Sequence, residues 1–463
     1  MPGFSLQDII DATSGRTILR GRDYFSGISI DSRSISDSEL FIALRGARFD
    51  GHDFIGEALK KGAGAIVNYP PASPVSGKTI IHVTNTLKAL QDIAEFHRNK
   101  RDVRVVAVTG TNGKTTTKEM LCQMLRGFCN VLCSSGNLNN NIGLPLSLLK
   151  LSDEDVCILE MGASMRGDIK ELCEISHPDT GIITNIGPGH LEGFGSIDAV
   201  KDTKLELCDF VGTLIINLDD ELLSRSVESL AVKDDKRVVY YGINNEAPVM
   251  AKNIRISGTK DRKRPGLFFD LHIDGFEPER INMKISGVFN VYNALAACSA
   301  AHIMGVPVKL IKSGLEAFSG VAMRFEIKEL QGTVVISDVY NANPSSMEEA
   351  VKELIRIKEG KAVAVLGDML ELGSYAEEAH RKLGAWLAGL PVDIFVAVGP
   401  LMALAANEFR NSRNGISKDV YTVNDADSAK GLIRDITGEG DTILVKGSRG
   451  MNMEHILEAD CAV

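Results

Sequence analysis

The sequence predicts an α/β protein of three domains: a small α/β domain, a central domain with a phosphate loop on a parallel sheet, and a C-terminal doubly wound domain. Its 463 residues correspond to roughly three domains at about 150 residues each. Short apolar runs alternate with helical stretches, which is typical of parallel sheets. A Gly-rich loop at residues 108–117 stands between a buried strand and a helix. We predict the domains at residues 1–86, 87–320 and 321–463.

Each domain is predicted from its own pattern of apolar residues. The first combines strands at 27–31, 40–44, 65–68 and 79–83 with a helix over 54–62. The central one begins with an unbroken apolar run at 103–108, which suits a strand buried on both faces. Its other predicted elements are strands at 156–160, 181–185 and 214–217, a β-rich stretch over 236–287, and a helix over 290–304. The last domain has predicted strands at 334–338, 362–366, 394–398, 420–423 and 442–445, separated by helical stretches.

Composition excludes several classes of function. The net charge of −10 disfavours binding to nucleic acid or to an acidic membrane. The most basic run, at 260–264, is predicted to be a solvated turn. No stretch approaches the roughly 20 apolar residues of a membrane span, and the N-terminus lacks the pattern of a signal peptide. The eight cysteines form no C-x-x-C pair, so we expect reduced thiols in a reducing, cytoplasmic compartment.

The stretch VTGTNGKTTT at 108–117 has the context of a phosphate-binding loop. It departs from the usual G-x-x-x-x-G-K-[ST] pattern, because Val108 stands where the first glycine is expected. The preceding strand and the following helix nevertheless direct free backbone N–H groups toward an anion. Lys114 is expected to reach the β- and γ-phosphates, and Thr115 to hold Mg²⁺. A second G-K-T at 77–79 has no helix after it and is predicted to be a turn.

Two further polar residues follow predicted strands of the same sheet. Glu160 ends the strand at 156–160, and His190 lies just beyond the strand at 181–185. Carboxyl ends of parallel strands meet at one edge of a sheet, where ligands bind in such folds. A carboxylate placed there suits Mg²⁺, directly or through water.

The loop TGTNGKTTT, with Glu160 and His190 in spaced order, resembles the ATP-dependent Mur ligase family of peptidoglycan synthesis, and more distantly the folylpolyglutamate synthases. Within the family, the chain resembles the members that join D-alanyl-D-alanine to a UDP-N-acetylmuramoyl-tripeptide. The segments that carry this likeness are LFIALRGARFDGHDFI (40–55), GNLNNNIGLP (136–145), YNANPSSM (340–347) and VLGDMLELG (365–373). The Asp-Asn-Pro-Arg-type motif of the members that add the third residue is absent.

The resemblance implies three domains, for the UDP end of the substrate, for ATP, and a Rossmann-like one for D-alanyl-D-alanine. It also implies the reaction. The carboxylate of the tripeptide attacks the γ-phosphate of ATP, and the dipeptide amine then attacks the acyl phosphate. We therefore expect the protein to be a monomer that carries out the last cytoplasmic step of peptidoglycan precursor synthesis.

The family's ATP and metal contacts carry over residue by residue. The implied catalytic residues are Lys114, His190, Lys204 and Arg324. The implied ATP contacts are Thr111, Asn112, Gly113, Lys114, Thr115, Thr116, Asn293, Arg324 and Asp338. The implied ligands of two magnesium ions are Thr115, Glu160, His190 and Lys204.

Four details of this assignment depend on the local sequence. Lys204 is favoured over Lys201 as the carbamylated lysine of the family, with two solvated helix lysines as the alternative. Asn290 is expected to act as a helix N-cap, and Asn293 to contact adenine. Asp338 is expected to bind the ribose, whereas Ser337 stands where the family often has a second Asp.

The implied contacts to the other substrates are Ser32, Arg33, Arg45, Asn139, Asn140, Asn141, Tyr340, Asn341 and Lys446. A polar turn is the alternative for the three consecutive asparagines. Two other functions stay open at this point. One is a related ligase that adds a single amino acid or glutamate; the other is a binding module that hydrolyses ATP only to change shape.

Overall fold

A computed structural model describes residues 3–46, 49–71, 76–234, 236–257, 266–330, 332–412 and 419–458. The basic run at 260–264 lies outside these residues. Three main sheets of five, nine and six strands carry the fold, which confirms the predicted α/β class with three units. Within the described ranges, none of the helices is both long enough and apolar enough to cross a bilayer.

The N-terminal unit is a five-stranded mixed sheet with helices packed beside it. Its elements are β1 (Phe4–Ser5), α1 (Leu6–Thr13), β2 (Arg16–Leu19), β3 (Tyr24–Phe25), β4 (Gly27–Ser29), β5 (Glu39–Ile42), α2 (Ile55–Lys61), β6 (Gly64–Val67) and β7 (Thr79–His82). The strand order is β2-β7-β6-β5-β4, with only β2 antiparallel to its neighbour. The four predicted strands and the predicted helix are all present, and the G-K-T at 77–79 leads into β7 without a helix.

The central unit is a nine-stranded sheet flanked by helices. Its helices are α3 (Thr86–Asn99), α4 (Lys114–Leu125), α5 (Gly143–Leu148), α6 (Asp168–Ser176), α7 (Leu191–Phe194), α8 (Ile197–Leu205), α9 (Glu221–Asp234), α10 (Val288–Ile303) and α11 (Val308–Ala317). Its strands are β8 (Arg104–Thr109), β9 (Val131–Cys133), β10 (Val156–Glu160), β11 (Thr180–Ile183), β12 (Thr213–Asn217), β13 (Arg237–Gly242), β14 (Val249–Ser257), β15 (Gly266–Ile273) and β16 (Glu279–Met283).

The strand order of the central sheet is β16-β15-β14-β13-β12-β11-β8-β10-β9. Pairings from β9 to β14 are parallel, whereas β15 and β16 add an antiparallel edge. Strand β8 lies between β10 and β11, and its Val105–Val108 side chains are buried on both faces. This burial explains the unbroken apolar run, and it places the loop after β8 in the middle of the sheet edge.

The C-terminal unit is a six-stranded sheet with helices on both faces. Its elements are β17 (Glu326–Leu330), β18 (Thr333–Asp338), α12 (Pro344–Ile357), β19 (Ala362–Gly367), α13 (Ala376–Ala388), β20 (Ile394–Val398), α14 (Pro400–Asn411), β21 (Asp419–Val423), α15 (Ala426–Ile436) and β22 (Thr442–Lys446). The order is β17-β18-β22-β19-β20-β21, parallel except for β17. All five predicted strands are present. The boundaries at 86 and 320 stay predictions.

The cysteines correct one prediction. Cys122 of α4 and Cys133 of β9 form a disulfide bond, so the expectation of reduced thiols throughout is wrong for this pair. The two residues are 11 positions apart in the sequence, so they do not form a C-x-x-C pair. The free thiols among the described residues are those of Cys129, Cys157, Cys173, Cys208 and Cys298. Cysteine usage therefore no longer supports a reducing compartment.

Candidate active site

A cavity of about 1120 Å³ lies between the central and C-terminal sheets. The loop after β8 lines it on one side, and the ends of β18 and β22 line it on the other. Both sheets thus direct the carboxyl ends of their strands toward one space, which is where open α/β sheets bind ligands. The predicted central and C-terminal site residues that line it are Thr111, Asn112, Gly113, Lys114, Thr115, Thr116, Asn139, Asn140, Asn141, Glu160, His190, Asn293, Arg324, Asp338, Tyr340, Asn341 and Lys446.

The loop from Gly110 to Gly113 has a backbone that depends on its two glycines. Their φ angles are +140° and +82°, in the region that L side chains rarely adopt. A Cβ on Gly113 would also lie 2.1 Å from Asn293 Oδ1. The glycine therefore allows the turn and also lets α10 approach the loop.

The ammonium group of Lys114 caps its own loop. Its Nζ donates to the carbonyl of Gly110 at 2.8 Å and to that of Thr111 at 3.0 Å. Burial lowers the pKa of Lys114; Glu160 acts in the opposite direction, and Arg324 lowers the pKa further. The charge of Arg324 therefore acts on Lys114, as that of Glu160 does, although Arg324 belongs to the C-terminal unit.

Thr115 and Glu160 form a buried pair beside the loop. The Thr115 hydroxyl donates to Glu160 Oε2 at 2.6 Å, and Asn139 Nδ2 donates to Oε1 at 2.7 Å. The Glu160 backbone N–H donates to the Ser134 hydroxyl at 3.1 Å, which fixes the end of β10. A hydroxyl and a carboxylate are oxygen donors of the kind that Mg²⁺ prefers, with waters and phosphates completing its shell. This pair fits a magnesium ion bound together with a nucleotide.

Helix α8 distinguishes the two candidate lysines. Lys201 is partly exposed and pairs with Asp198 at 3.0 Å on its own helix. Lys204 is only 3% exposed, and no carboxylate among the described residues lies within ion-pair distance of it. Burial, with a smaller contribution from Lys114, lowers the pKa of Lys204 well below its ordinary value. Lys204 therefore differs from a solvated helix lysine, whereas Lys201 is one.

His190 faces the C-terminal unit. Its Nδ1 lies 2.6 Å from Glu371 Oε2, and this hydrogen bond lowers the pKa of Glu371. The backbone N–H of Glu192 also donates to the Glu371 carbonyl at 3.0 Å. Glu371 belongs to the segment VLGDMLELG that carried the family likeness, but no role was predicted for it. In the part of the chain that the structure describes, no three His, Cys, Asp or Glu residues form a ready metal site.

The helix beside the loop corrects a second prediction. The N-cap of α10 is Gly287, which has no side chain to cap with, and Asn290 lies inside the first turn. Asn290 Nδ2 instead donates to the Ser286 carbonyl at 2.6 Å, and Asn293 Nδ2 donates to Asn290 Oδ1 at 3.1 Å. Asn290 therefore holds Asn293 in place, and Asn293 in turn contacts the phosphate loop.

The C-terminal side presents cations to the cavity. The Arg324 guanidinium stacks 4.0 Å from the centre of the Tyr340 ring, which holds it in one orientation. Lys446 Nζ lies 2.6 Å from Asp338 Oδ2 and donates to the Asn341 carbonyl at 3.0 Å. Asp338, the predicted ribose contact, and Lys446, a predicted substrate contact, thus form an ion pair with each other. Arg324 forms no ion pair with a carboxylate of the described residues.

The remaining predicted substrate contacts divide into two groups. Asn139, Asn140 and Asn141 all line the cavity, and Asn140 also accepts the backbone N–H of Gly143 at 2.8 Å at the start of α5. Ser32, Arg33 and Arg45 do not line it. Among them, Arg33 pairs with Asp31 at 2.8 Å, and this contact lowers the pKa of Asp31 to about 2. These three residues therefore lie in the N-terminal unit outside the cavity, where Ser32 is buried.

Three family models match the chain in order. They are described as the Mur ligase family catalytic domain over residues 24–98, the Mur ligase middle domain over 108–301, and the Mur ligase glutamate ligase domain over 323–449. The matched ranges occur in the order of the three units, although the first range also includes most of α3, and they contain most of the cavity-lining residues.

Relatives and solved structures extend this likeness over nearly the whole chain. The chain is 33% identical over 439 residues to UDP-N-acetylmuramoyl-tripeptide--D-alanyl-D-alanine ligase of Bacillus subtilis, with 93% of this chain and 92% of the relative covered. It is 31% identical to the enzyme of the same name from Escherichia coli, with 99% and 98% covered.

The solved structures agree with these sequence relatives. The fold is similar to that of MurF from Acinetobacter baumannii, with a TM-score of 0.89, 30% identity and 99% and 98% coverage. It is also similar to that of MurF ligase from Thermotoga maritima in complex with ADP, with a TM-score of 0.79, 27% identity and 93% and 96% coverage.

Proposed function

The chain belongs to the Mur ligase family, and we propose that it is the ATP-dependent ligase that joins D-alanyl-D-alanine to UDP-N-acetylmuramoyl-tripeptide. The product is the UDP-muramoyl-pentapeptide precursor of peptidoglycan. The observation that carries this proposal is the shared cavity, in which the phosphate loop and Glu160 face Arg324 and Lys446 of the C-terminal unit. The relatives that are similar over nearly the full chain carry the name of this activity.

The reaction activates a poor electrophile. A carboxylate oxygen of the tripeptide attacks the γ-phosphorus of ATP, ADP leaves, and an acyl phosphate forms. The amine of D-alanyl-D-alanine then attacks the carbonyl carbon, loses a proton, and expels phosphate from the tetrahedral intermediate. The first step brings two anions together, so cations must offset their repulsion.

Lys114 and Arg324 supply that positive charge from opposite sides of the cavity. With ATP bound, the Lys114 ammonium would donate to phosphate oxygens in place of the loop carbonyls that it contacts at 2.8 and 3.0 Å. Arg324, held against the Tyr340 ring, would contact the γ-phosphate. Once both groups contact the phosphates of bound ATP, little further reorganisation is needed when charge develops.

Thr115 and Glu160 are the residues that would hold Mg²⁺, and His190 would take part in a second magnesium site. When bound, magnesium neutralises the developing charge on the phosphate oxygens. Asn139 keeps the Glu160 carboxylate oriented through its 2.7 Å hydrogen bond. The Glu371 carboxylate orients the His190 ring in the same manner.

Lys204 is the proposed carbamylation site. Its burial and lowered pKa favour the neutral amine, which is the form that reacts with CO₂. The resulting carbamate would replace this buried neutral amine by an anion that suits a metal ion. Burial of a lone ammonium is otherwise costly, which supports a chemical role for this side chain.

The other substrate contacts are proposed from the family likeness, and the residues line the cavity. We assign Asn293 to adenine, Asp338 to the ribose, and Asn139, Asn140 and Asn141 to the muramoyl peptide. We assign Tyr340, Asn341 and Lys446 to D-alanyl-D-alanine. Ser32, Arg33 and Arg45 are assigned to the UDP end, because a long substrate extends beyond the cavity. All these groups come from one chain, so a monomer suffices, and the cytoplasm supplies ATP and UDP-linked substrates.

The test is product analysis. The protein is mixed with ATP, Mg²⁺, D-alanyl-D-alanine and UDP-muramoyl tripeptides that end in either diaminopimelate or lysine, and the products are weighed by mass spectrometry. We expect a pentapeptide and one phosphate per amide formed. Product formation only with single amino acids would indicate a different ligase of the family. Slow ATP hydrolysis at a rate that no added amine changes would indicate a nucleotide-dependent binding module.

A further inference from the structure

Helix α12 of the C-terminal unit docks on the phosphate loop through its first residues. Asn343 Nδ2 donates to Asn112 Oδ1 at 2.8 Å, and Asn112 Nδ2 donates to the Ser345 hydroxyl at 2.9 Å. These two hydrogen bonds join residues more than 200 positions apart in the sequence. They connect the side chain of a loop residue in the central unit to the helix cap of the C-terminal unit.

The backbone of Asn112 is fixed by the central unit alone. Its N–H donates to Asn185 Oδ1 at 2.9 Å, and its carbonyl accepts from the Thr184 hydroxyl at 2.6 Å. Only the side chain of Asn112 turns toward α12. Because Gly113 and Lys114 follow directly, any force on that side chain acts next to the groups that bind phosphate.

Asn343 has two functions, and its Oδ1 takes part in both, because it also accepts from Asn112 Nδ2 at 3.4 Å. Its Oδ1 accepts the backbone N–H of Ser346 at 2.9 Å, which caps α12. Its Nδ2 makes the bond to Asn112. An oxygen acceptor is sufficient for the cap, and Ser and Asp provide one as well as Asn does. Only the amide also provides the donor that reaches the loop.

A second contact holds α12 against the other end of the nucleotide site. Glu353 is 1% exposed and accepts from the Ser286 hydroxyl at 2.7 Å and from the Gly287 backbone N–H at 3.1 Å. Gly287 is the N-cap of α10, the helix that carries Asn293. Helix α12 therefore contacts both the phosphate loop and the helix on the proposed adenine side.

We propose that Asn343 is a positioning residue that couples closure of the C-terminal domain to the phosphate loop through Asn112. This inference rests on the proposed ligase function. In the closed arrangement, the amide pair fixes the loop and excludes water next to the acyl phosphate. When the domains separate, the pair is broken, so Arg324 and the loop are brought together only when α12 is docked.

The test compares Asn343→Asp and Asn343→Ser with the wild-type full-length protein. Both variants keep a capping oxygen and lose the donor to Asn112, and the serine variant adds no charge. We expect kcat for amide formation to fall about tenfold, the effect of one hydrogen bond whose partner stays unpaired. The KM for the tripeptide should stay within about twofold. More than one phosphate should be released per amide, because an open site lets water reach the acyl phosphate.

The matched control is Asp425→Ser, which exchanges the cap of α15, whose carboxylate accepts from the Ser428 backbone N–H at 2.8 Å. No residue of this helix lines the cavity, so its cap exchange should change neither kcat nor the phosphate-to-amide ratio. Ser345→Ala provides a second variant in case the Asn343 variants fold poorly, since it removes the 2.9 Å acceptor of Asn112 Nδ2, together with a hydroxyl that donates to Asn343 Oδ1 at 3.0 Å, and leaves the Asn343 amide in place. It should raise the same ratio.

The possible outcomes separate the two proposals. The coupling would be overturned if the folded Asn343→Asp, Asn343→Ser and Ser345→Ala variants had wild-type kinetics and released one phosphate per amide. Asn343 would then only cap its helix. Absence of amide product from the wild type would instead overturn the proposed ligase function. A raised ratio in the Asn343 variants, with the Asp425 control unchanged, supports the coupling.

Discussion

The Thr115 hydroxyl and the Glu160 carboxylate lie 2.6 Å apart, although 45 positions separate them in the chain. They meet because β8 and β10 are parallel neighbours, with Val108 directly opposite Glu160. Both side chains are buried, so the carboxylate is oriented before any ligand arrives. One Glu160 oxygen serves Thr115 and the other serves Asn139.

Glu160→Gln is expected to weaken magnesium binding and to lower turnover at the same time. The amide has one oxygen for two donors and no negative charge for the metal, so we expect a loss of about 100-fold in kcat, as for a lost preorganised electrostatic contact. The measurement is phosphate release as a function of Mg²⁺ concentration. Asp153→Asn, an exposed acid before β10, is the control, and an unchanged magnesium curve for Glu160→Gln would remove Glu160 from the metal site.

Lys114→Ala should abolish ligation while the fold stays intact. The ammonium stabilises charge on the transferring phosphoryl group. Comparable preorganised donors lower the activation free energy by about 3–4 kcal/mol. Amide formation would be measured alongside thermal unfolding, with the exposed Lys150→Ala as the matched control. Normal turnover by a folded Lys114→Ala protein would contradict the phosphate-loop assignment.

Lys204→Ala and Lys201→Ala should behave differently although both lysines belong to α8. Lys204→Ala is expected to lose activity that bicarbonate does not restore and that short-chain carboxylates partly restore, because they can replace the missing anion. Lys201 only pairs with acids of its own helix, so its removal should leave activity unchanged. A density map with metals bound and an unmodified, solvent-facing Lys204 would defeat the prediction.

Domain closure should be visible by small-angle scattering. We predict a hinge between the central and C-terminal units at 319–322, where Gly320 has a φ of +98° and, as a glycine, can change its dihedral angles widely. We expect an open form without ligands and a compact form with an ATP analogue plus the muramoyl tripeptide. A radius of gyration that stays at its open value under saturating ligands would count against closure and against Arg324 as a γ-phosphate contact.

His97 should make the protein sensitive to acid. It is buried, and burial lowers its pKa to about 4 from an ordinary 6.5, although its Nε2 donates to the Leu151 carbonyl. Between these values the unfolded chain binds more protons than the folded one, so stability falls as pH falls from 6.5 toward 4. The loss is on the order of 3 kcal/mol.

The variant His97→Gln tests this linkage. We expect its Tm to fall less than that of the wild type between about pH 7 and about pH 4.5, because glutamine binds no proton. Turnover near neutral pH should be unchanged, since His97 lies at the contact of α3 with Leu151 and does not line the cavity. Parallel Tm curves for the two proteins would show that His97 is not the responsible group.

The sequence was most informative where the functional residues are adjacent to one another along the chain. The strand, the loop and Lys114 are contiguous, so their arrangement follows from the chain itself. Glu160 could be placed because parallel strands align their carboxyl ends. The Asn343 and Glu371 contacts could not be found this way, because they depend on how two separately folded sheets meet. The bond between Cys122 and Cys133 was missed for a different reason, because it depends on the packing of α4 against β9 within the central unit.

Gly113 has a consequence for how the nucleotide site can move. Since even one methyl group at this position would overlap Asn293 Oδ1, the loop backbone touches the Asn293 side chain of α10 directly. A displacement of α10 toward the loop therefore finds no free space at this contact, and it presses on the residue that precedes Lys114. A larger residue at position 113 would hold α10 further away, so the close approach of this helix to the phosphate loop depends on the absence of a single carbon atom.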